Sequence, residues 1–588
     1  MTTLIFDTET NGLLDEATVM HCLSTSQEGS EHVLDYNDDY DECNDGPVHV
    51  GLNWLARADE LVAHNLLGFD LPVTKKLSPG WEPKEGCKLT DTLVLSRLCF
   101  PDLFERDMKR KYQGFPSKLF GRHSLEAWGQ RLGVAKGDYA GGWEEFSQDM
   151  MDYCNQDVVV LKEVLKTMKR QGFSQESIDL EHDFAQVIHE MNMRGVRFDT
   201  DAATQLLEVL TVREAEVEEL LRASFQGFEK IHISPVKKIR RVEQIPFNPG
   251  SRRHITRALM EQRGWVPDDE DYTPSGIPKL SEEILKRMDP KVVPEAPLIL
   301  ESLMLDKRLG QLSRGKNAWL KLVGDDGIIR PFVNHMGTIT GRCTHSRPNV
   351  GQVPASRNPY GKECRELWRP REGYTLLGSD ASSVEVRILA HYLSPYDRGE
   401  LVRLVEEGES PHKRTMKLTG IEDYDKAKMA LYATLYGIKP PGLAKQLGTS
   451  VVKARKIQKK LLDGYGISGL VEQLRETFSQ KGFLNGFDGR RIPIRKISAL
   501  LNTLIQAGAS VLIKKWTVLS MQALRSSGID AHLVLHVHDE MQLEVPHDSV
   551  TEAEEIVKAA MLQAGKELGI RCRTTADTAT GPDWSHTH

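Results

Sequence analysis

Apolar positions fall into two spacings along this chain. Leu4-Ile5-Phe6 is a short continuous run that gives way to acidic and turn residues, and Glu60-Leu61-Val62-Ala63 leads straight into His64-Asn65; both read as strands. Over residues 149–170 the apolar positions, Val158, Leu161 and Leu165 among them, recur at helical spacing. Strands alternating with helices across residues 1–190 predict one α/β unit. The interruption at 35–45, DYNDDYDECND, reads as a solvated acidic loop. Residues 175–225 read as long amphipathic helices, and helical spacing resumes around 296–322. Between these, residues 230–295 mix prolines, glycines and the basic pairs Lys237-Lys238, Arg240-Arg241 and Arg252-Arg253. That stretch reads as a loop-rich basic interruption, suited to phosphate contact or to plain solvation. Tyr374–Gly378 reads as a strand entering Asp380, Val384–Leu393 as a helix, and residues 398–480 as mostly helical. Residues 533–545, LVLHVHDEMQLEV, place two apolar runs around His538-Asp539-Glu540, the pattern of a hairpin.

At 588 residues the chain is too long for one core and predicts roughly three to four domains. An apolar share of 40% excludes wholesale disorder. No stretch reaches about 18 uncharged apolar residues, and MTTLIFDTET lacks a basic region followed by an apolar core. Neither a membrane span nor a secretory leader is therefore expected. The eight cysteines include no CxxC pair, which disfavours zinc ribbons and disulfide frameworks and suits a reducing cytoplasm. The net charge of -8 argues against a nucleic-acid partner until its distribution is considered. Residues 1–200 carry 35 acidic and 20 basic side chains, whereas residues 201–588 carry 49 and 56. This asymmetry suggests an acidic unit joined to a basic one, and charge alone fits plain solvated surface equally well.

Two constellations carry chemistry. In the first, Asp7-x-Glu9 follows a strand, Asp70 closes Asn65-x-x-x-Phe69-Asp70, and Tyr153-x-x-x-Asp157 shares one face of a helix. Each piece alone is equally a helix cap or surface charge. As an ordered set, four carboxylates drawn from three segments need divalent cations to offset their repulsion, and oxygen donors suit magnesium or manganese. Such a pair of ions serves phosphodiester hydrolysis. This set resembles the DEDD superfamily of 3′–5′ exonucleases, in its tyrosine-containing subclass. The resemblance implies Asp7, Glu9, Asp70 and Asp157 as metal ligands and Tyr153 as the residue that orients water. His123-Ser124-Leu125-Glu126, with Gly129 and Leu132-Gly133, is similar to the helix that precedes the last motif in these domains.

In the second, Asp380 ends a strand and Asp539 sits at a hairpin turn, 159 positions on. Between them Lys428, Tyr432 and Tyr436 recur every four residues along one helical face. A cation with stacked aromatics suits a triphosphate and a base, although an aromatic stripe is also ordinary core packing. Together these residues resemble the family A, DNA polymerase I-like DNA polymerases. Asp380-Ala381-Ser382-Ser383-Val384-Glu385-Val386-Arg387 is similar to their motif A, Lys428 through Gly437 to motif B, and Val537-His538-Asp539-Glu540 to motif C. HSLEAWGQRLG, TGRCTHSRPN, NPYGKECR and the terminal GPDWSHTH resemble the T-seven-like phage replicative branch most closely.

The resemblance implies a multidomain α/β fold: an RNase H-like exonuclease domain (1–185), a mainly helical thumb (186–325), a palm in two parts (326–400 and 486–588) and fingers (401–485). It implies Asp380 and Asp539 as catalytic metal ligands, joined by the Ala381 carbonyl, with two Mg2+ ions (Mn2+ as the alternative) in each active site. Lys428 and His412 are implied as triphosphate contacts. Tyr432 and Tyr436 would border the incoming nucleotide, and Tyr432 in place of Phe is the family variant associated with tolerance of dideoxynucleotides. Glu385 is implied as the steric gate against a ribose 2′-hydroxyl. Arg342, Asn502 and Gln506 would contact the minor groove, and His538 and Glu540 would flank the primer end. Implied partners are primer–template DNA and deoxynucleoside triphosphates, with a phage helicase–primase and single-strand-binding protein as candidates; a monomer in the host cytoplasm is expected.

Two positions depart from the family pattern. Motif B usually opens with Arg four residues before the Lys, where this chain has Tyr424. Weaker nucleotide binding is expected, with Lys413 or Lys426 as imperfect substitutes. T-seven-like relatives also carry a thumb insertion that binds thioredoxin, whereas Lys230–Gln244 here leads directly into Phe247-Asn248-Pro249. No thioredoxin dependence is expected. Three other readings remain open: a single-subunit RNA polymerase, a silent DNA-binding scaffold, and a nuclease-only repair enzyme. Glu385 and the exonuclease acids argue against the first, and the intact carboxylates against the second.

Overall fold

The computed structural model describes residues 2–39, 44–111, 114–137, 139–233, 240–268 and 271–588. The N-terminal unit is built on a five-stranded mixed sheet in the order β3-β2-β1-β4-β5. Its strands are β1 (Thr3–Thr10), β2 (Met20–Gln27), β3 (Leu34–Asn37), β4 (Glu60–Ala63) and β5 (Lys88–Asp91). β1 runs antiparallel to β2 and parallel to β4. Leu34–Asn37 thus corrects the expected acidic loop: Leu34 and Tyr36 alternate with Asp35 and Asn37, a polar edge strand paired to β2. Helix α1 (Asp70–Leu77) follows β4, and α2 (Gln148–Lys169) packs on β1 and β2 with Val158, Leu161 and Leu165 buried. Ser147 starts α2 by accepting the Met150 N–H.

Helix α3 (Gln175–Arg194) joins this unit to the rest of the chain. The expected junction at 185/186 falls inside it. Its Glu181 and His182, about 100° apart around the helix, bond to different units. His182 Nε2 accepts the Asp91 N–H at 2.9 Å, in the N-terminal sheet. Glu181 is fully buried and takes Lys514 Nζ at 2.7 Å and Arg490 at 2.8 Å, from the far end of the sequence. Such a buried cluster holds only while every charge is paired.

The region expected to be a loop-rich basic interruption contains a hairpin, β6 (Phe228–Ile233) with β7 (Arg240–Ile245), and two helices, Arg252–Arg263 and Glu282–Arg287. Ser251 and Ser281 cap the helices, and Ile255, Leu259, Ile284 and Leu285 anchor them in a core shared with Leu206, Leu221 and Trp319. Lys237-Lys238 lies outside the described residues, as do residues 234–239 as a whole, within the segment expected to lack the thumb insertion of relatives.

The C-terminal unit centres on an antiparallel sheet in the order β9-β10-β8-β11, formed by β8 (Tyr374–Ala381), β9 (His532–Val537), β10 (Glu540–Pro546) and β11 (Ala576–Gly581). Helix α4 (Val384–Asp397) leaves β8, and α5 (Tyr424–Leu435) lies in a helical layer over residues 400–481. Helix α6 (Leu500–Ser526) runs through the core, with Trp516 donating to the Val557 carbonyl at 2.9 Å. The segment Ile497–Ser526 is long and apolar enough to cross a membrane by length and composition, but 72% of its most apolar window is buried against protein. Its apolarity follows from packing on several sides at once. Seven cysteines are free among the described residues.

Candidate active sites

In the N-terminal unit, strand alternation puts Asp7 and Glu9 on one face of β1. Asp70 is the first residue of α1, and its Oδ1 accepts the Thr8 hydroxyl at 2.9 Å. One turn of α2 separates Tyr153 from Asp157, and that face lies over β1. All five expected residues therefore converge. The carboxyls repel one another out of water. Burial, then Asp157, Glu9 and Asp70, lift Asp7 well above the usual carboxylate range. Burial and Asp157 push Glu9 up to about 8, and burial pushes Asp70 up to about 7. Asp157 rises only to about 6, because Lys136 sits 2.5 Å from its Oδ2.

Asp7, Glu9 and Cys154 bring ligand atoms within 4.8 Å of one another. The Cys154 thiol is instead a donor to the Asp7 carbonyl, at 3.4 Å. Four carboxyls held above their ordinary pKa, Asp70 and Asp157 buried and Asp7 and Glu9 half-buried, fit a hard divalent cation, which restores their charge without costing repulsion.

In the C-terminal unit, Asp380 lies near the end of β8, opposite Glu540 on β10 and Asp577 on β11. Asp539 occupies the tight turn from β9 to β10, where His538 takes a left-handed φ of 59°. The Ala381 N–H donates to the Asp539 carbonyl at 3.0 Å, closing the two aspartates onto each other. Burial, then Asp539, Glu540 and Asp577, raise Asp380 to about 7. The same test is met here: clustered oxygen donors in need of positive charge. Glu540 is fixed from behind by Trp584 Nε1 at 2.5 Å and by His588 Nδ1 at 3.2 Å, so the chain terminus braces the turn.

A cavity of about 540 Å3 opens in front, lined by Arg342, Glu385, Tyr432, Tyr436, His538 and Asp539. Glu385 is held on both oxygens, by the Tyr436 hydroxyl at 2.6 Å and by Arg342 at 2.8 Å. The Tyr432 and Tyr436 rings stack at 6.3 Å. His412 is buried beside Tyr432, with Nδ1 lacking a partner, while Lys428 is exposed on the same helix as Tyr432, and Tyr436 caps that helix at its C-terminal end. Tyr424 opens α5, with its hydroxyl 2.9 Å from Ser410 Oγ and its ring edge-on to His412. Asn502 and Gln506 lie on α6, two turns and one turn respectively before the cavity-lining Ala509 and Ser510. Asn502 Oδ1 is buried without a partner.

Four participants escaped the sequence reading: Asp577, Lys136, Lys514 and Cys154. Asp577 lies in ADTATG, which carries no strand-like apolar run. Lys136 and Lys514 acquire meaning only from partners, Asp157 and Glu181, that are distant in sequence.

A family model described as DNA polymerase family A matches residues 218–586. The chain is 29% identical to the DNA-directed DNA polymerases of Enterobacteria phage T3 and Escherichia phage T7, over 100% of its own length and of theirs. Each alignment spans 717 positions, so these relatives carry segments with no counterpart here. DNA polymerase I of Chloroflexus aurantiacus is 26% identical over 426 residues, which is 68% of this chain and 42% of that protein. The solved POL domain of Pol1 from M. smegmatis, in complex with DNA primer-template and dNTP, covers 100% of this chain and 96% of its own at a TM-score of 0.76. At 19% identity this likeness shows a shared fold. Since the family model spans more than half of the sequence and the phage kinship runs end to end, the chain belongs to DNA polymerase family A, in its T7-like phage branch.

Proposed function

We propose that this chain copies DNA from a primer–template with deoxynucleoside triphosphates and removes mispaired primer ends by 3′–5′ hydrolysis. Residues 1–185 serve as the exonuclease, 186–325 as thumb, 326–400 and 486–588 as palm, and 401–485 as fingers. The observation that carries the reading is the apposition of Asp380 and Asp539 across neighbouring strands, in front of a cavity walled by Glu385 and Tyr436. Asp380, Asp539 and the Ala381 carbonyl would hold Mg2+ or Mn2+ in one site, and Asp7, Glu9, Asp70 and Asp157 in the other. Bound there, the cations supply charge neutralisation for phosphate oxygens and activation of the attacking hydroxyl or water.

The chain's own residues do the rest. Lys428 and His412 contact the triphosphate, and the Tyr432–Tyr436 stack offers an apolar face to the base. Glu385, immobilised by Tyr436 and Arg342, closes the space that a 2′-hydroxyl would need. Arg342 and Gln506 meet minor-groove acceptors, which every Watson–Crick pair presents, so they register pair geometry and not sequence. A mispaired end frays and reaches the N-terminal site as a single strand. Action in the cytoplasm of an infected host, as a monomer and without thioredoxin, completes the proposal.

A 5′-labelled primer–template incubated with Mg2+ tests both activities. Products lengthen with nucleotides and shorten without them. No extension under any nucleotide condition refutes the synthetic reading, and a primer left intact without nucleotides refutes the proofreading one.

A further inference from the structure

The exonuclease acids are accompanied by a cation that the metal-ligand set does not account for. Lys136 Nζ lies 2.5 Å from Asp157 Oδ2 and 4.6 Å from the centre of the Tyr153 ring. Its side chain is 20% exposed and that of Asp157 only 4%, so this is no surface pair. The backbone delivers the lysine deliberately. Helix Leu125–Leu132 ends at Gly133, in the left-handed region at φ 71°, and the Val134 N–H returns to the Gly129 carbonyl at 3.0 Å. Gln156 of α2 then donates to the Ala135 carbonyl at 2.7 Å, pinning the segment against the helix that carries Tyr153 and Asp157. Gly129 makes the fit: a Cβ there would stand 2.6 Å from the Val134 carbonyl oxygen and 3.3 Å from the Lys136 nitrogen.

Lys136 takes one oxygen of Asp157 and leaves the other, Oδ1, buried and unpartnered. An orphaned carboxylate oxygen in a closed site is costly unless a ligand completes it. The lysine thereby settles which oxygen is offered, and the ammonium over the ring fixes the tyrosine beside it.

We propose that Lys136 is a positioning residue of the exonuclease site, clamping Asp157 so that only Oδ1 is offered to a cation, seating Tyr153, and weakening by its own charge the binding of that cation until the strand's phosphate arrives. This rests on the exonuclease assignment made above. Lys136→Met keeps the length of the side chain and removes the charge. Titration with Mn2+ alone, followed by electron paramagnetic resonance, is expected to show binding about tenfold tighter in K136M, because a like charge beside the cation is removed. Single-strand hydrolysis is expected to lose kcat about tenfold or more, with little change in KM. Lys136→Arg restores both in part. Gly129→Ala, which displaces the segment and keeps its charge, lowers kcat without the full gain in Mn2+ affinity.

Extension of a matched primer reports on folding and stays at the wild-type rate in all three variants. Equal or weaker Mn2+ binding in K136M overturns the proposal, as does wild-type hydrolysis by that variant. A wild-type protein that fails to degrade a single strand overturns the exonuclease assignment itself, an outcome read separately from the Mn2+ titration.

Discussion

Glu9 provides the sharpest test of the electrostatics. Its carboxyl moves from 4.5 to about 8, first by burial and then by Asp157, with Lys136 opposing. Ionising it in the cation-free fold therefore costs up to about 5 kcal/mol, less whatever solvent reaches its partly exposed edge. Below pH 4.5 the group is protonated in folded and unfolded chains alike. Between 4.5 and about 8 the folded chain keeps a proton that the unfolded chain releases, so stability falls as pH rises through that window. Glu9→Gln cannot ionise. Without divalent cations it should be more stable than wild type by about 2–5 kcal/mol at pH 8, and nearly equal to it at pH 4.5. Saturating Mg2+ should stabilise the wild type at pH 8 and E9Q much less. Amide exchange in β1, β2 and α2, corrected for intrinsic rates, reads the local opening free energy. The reasoning fails if E9Q is no better protected than wild type at pH 8 in EDTA, or if its advantage is as large at pH 4.5.

Two further outcomes follow from the polymerase cavity and its neighbouring helix, and a third from residues 230–249. Tyr436→Phe removes the 2.6 Å bond to Glu385; a charge-assisted bond is worth about 1.5–3 kcal/mol, so discrimination against ribonucleotides should drop about tenfold or more in competition assays. Tyr424→Arg gives up the bond to Ser410 and should tighten nucleotide binding in equilibrium titrations; unchanged or weaker binding counts against a missing triphosphate contact. Primer-extension length should be the same with and without thioredoxin, and a large increase would contradict its exclusion.

Much of the site could be read from local pattern. Asp7 and Glu9 follow an apolar run that becomes β1, and Tyr153 and Asp157 stand one turn apart on a helix whose buried stripe was visible as Val158, Leu161 and Leu165. Asp539 sits between two apolar runs in the pattern of a hairpin, and that hairpin formed as β9 and β10. Edges and cross-chain pairings were not legible. β3 is a polar edge strand that owes its shape to β2, and β11 pairs through alanine and threonine with little apolar content of its own. The buried cluster of Glu181, Arg490 and Lys514 links residues over 300 positions apart, and no periodicity encodes such a partnership.

The account stands on Asp380 and Asp539 acting together on one primer end, apart from the N-terminal acids. Asp539→Asn, assayed on the labelled primer–template with Mg2+ and nucleotides, decides this most directly. The prediction is extension reduced by several orders of magnitude, with shortening of the same primer unimpaired. Extension by D539N near the wild-type rate, or loss of both activities together in a protein with wild-type amide-exchange protection, would contradict it.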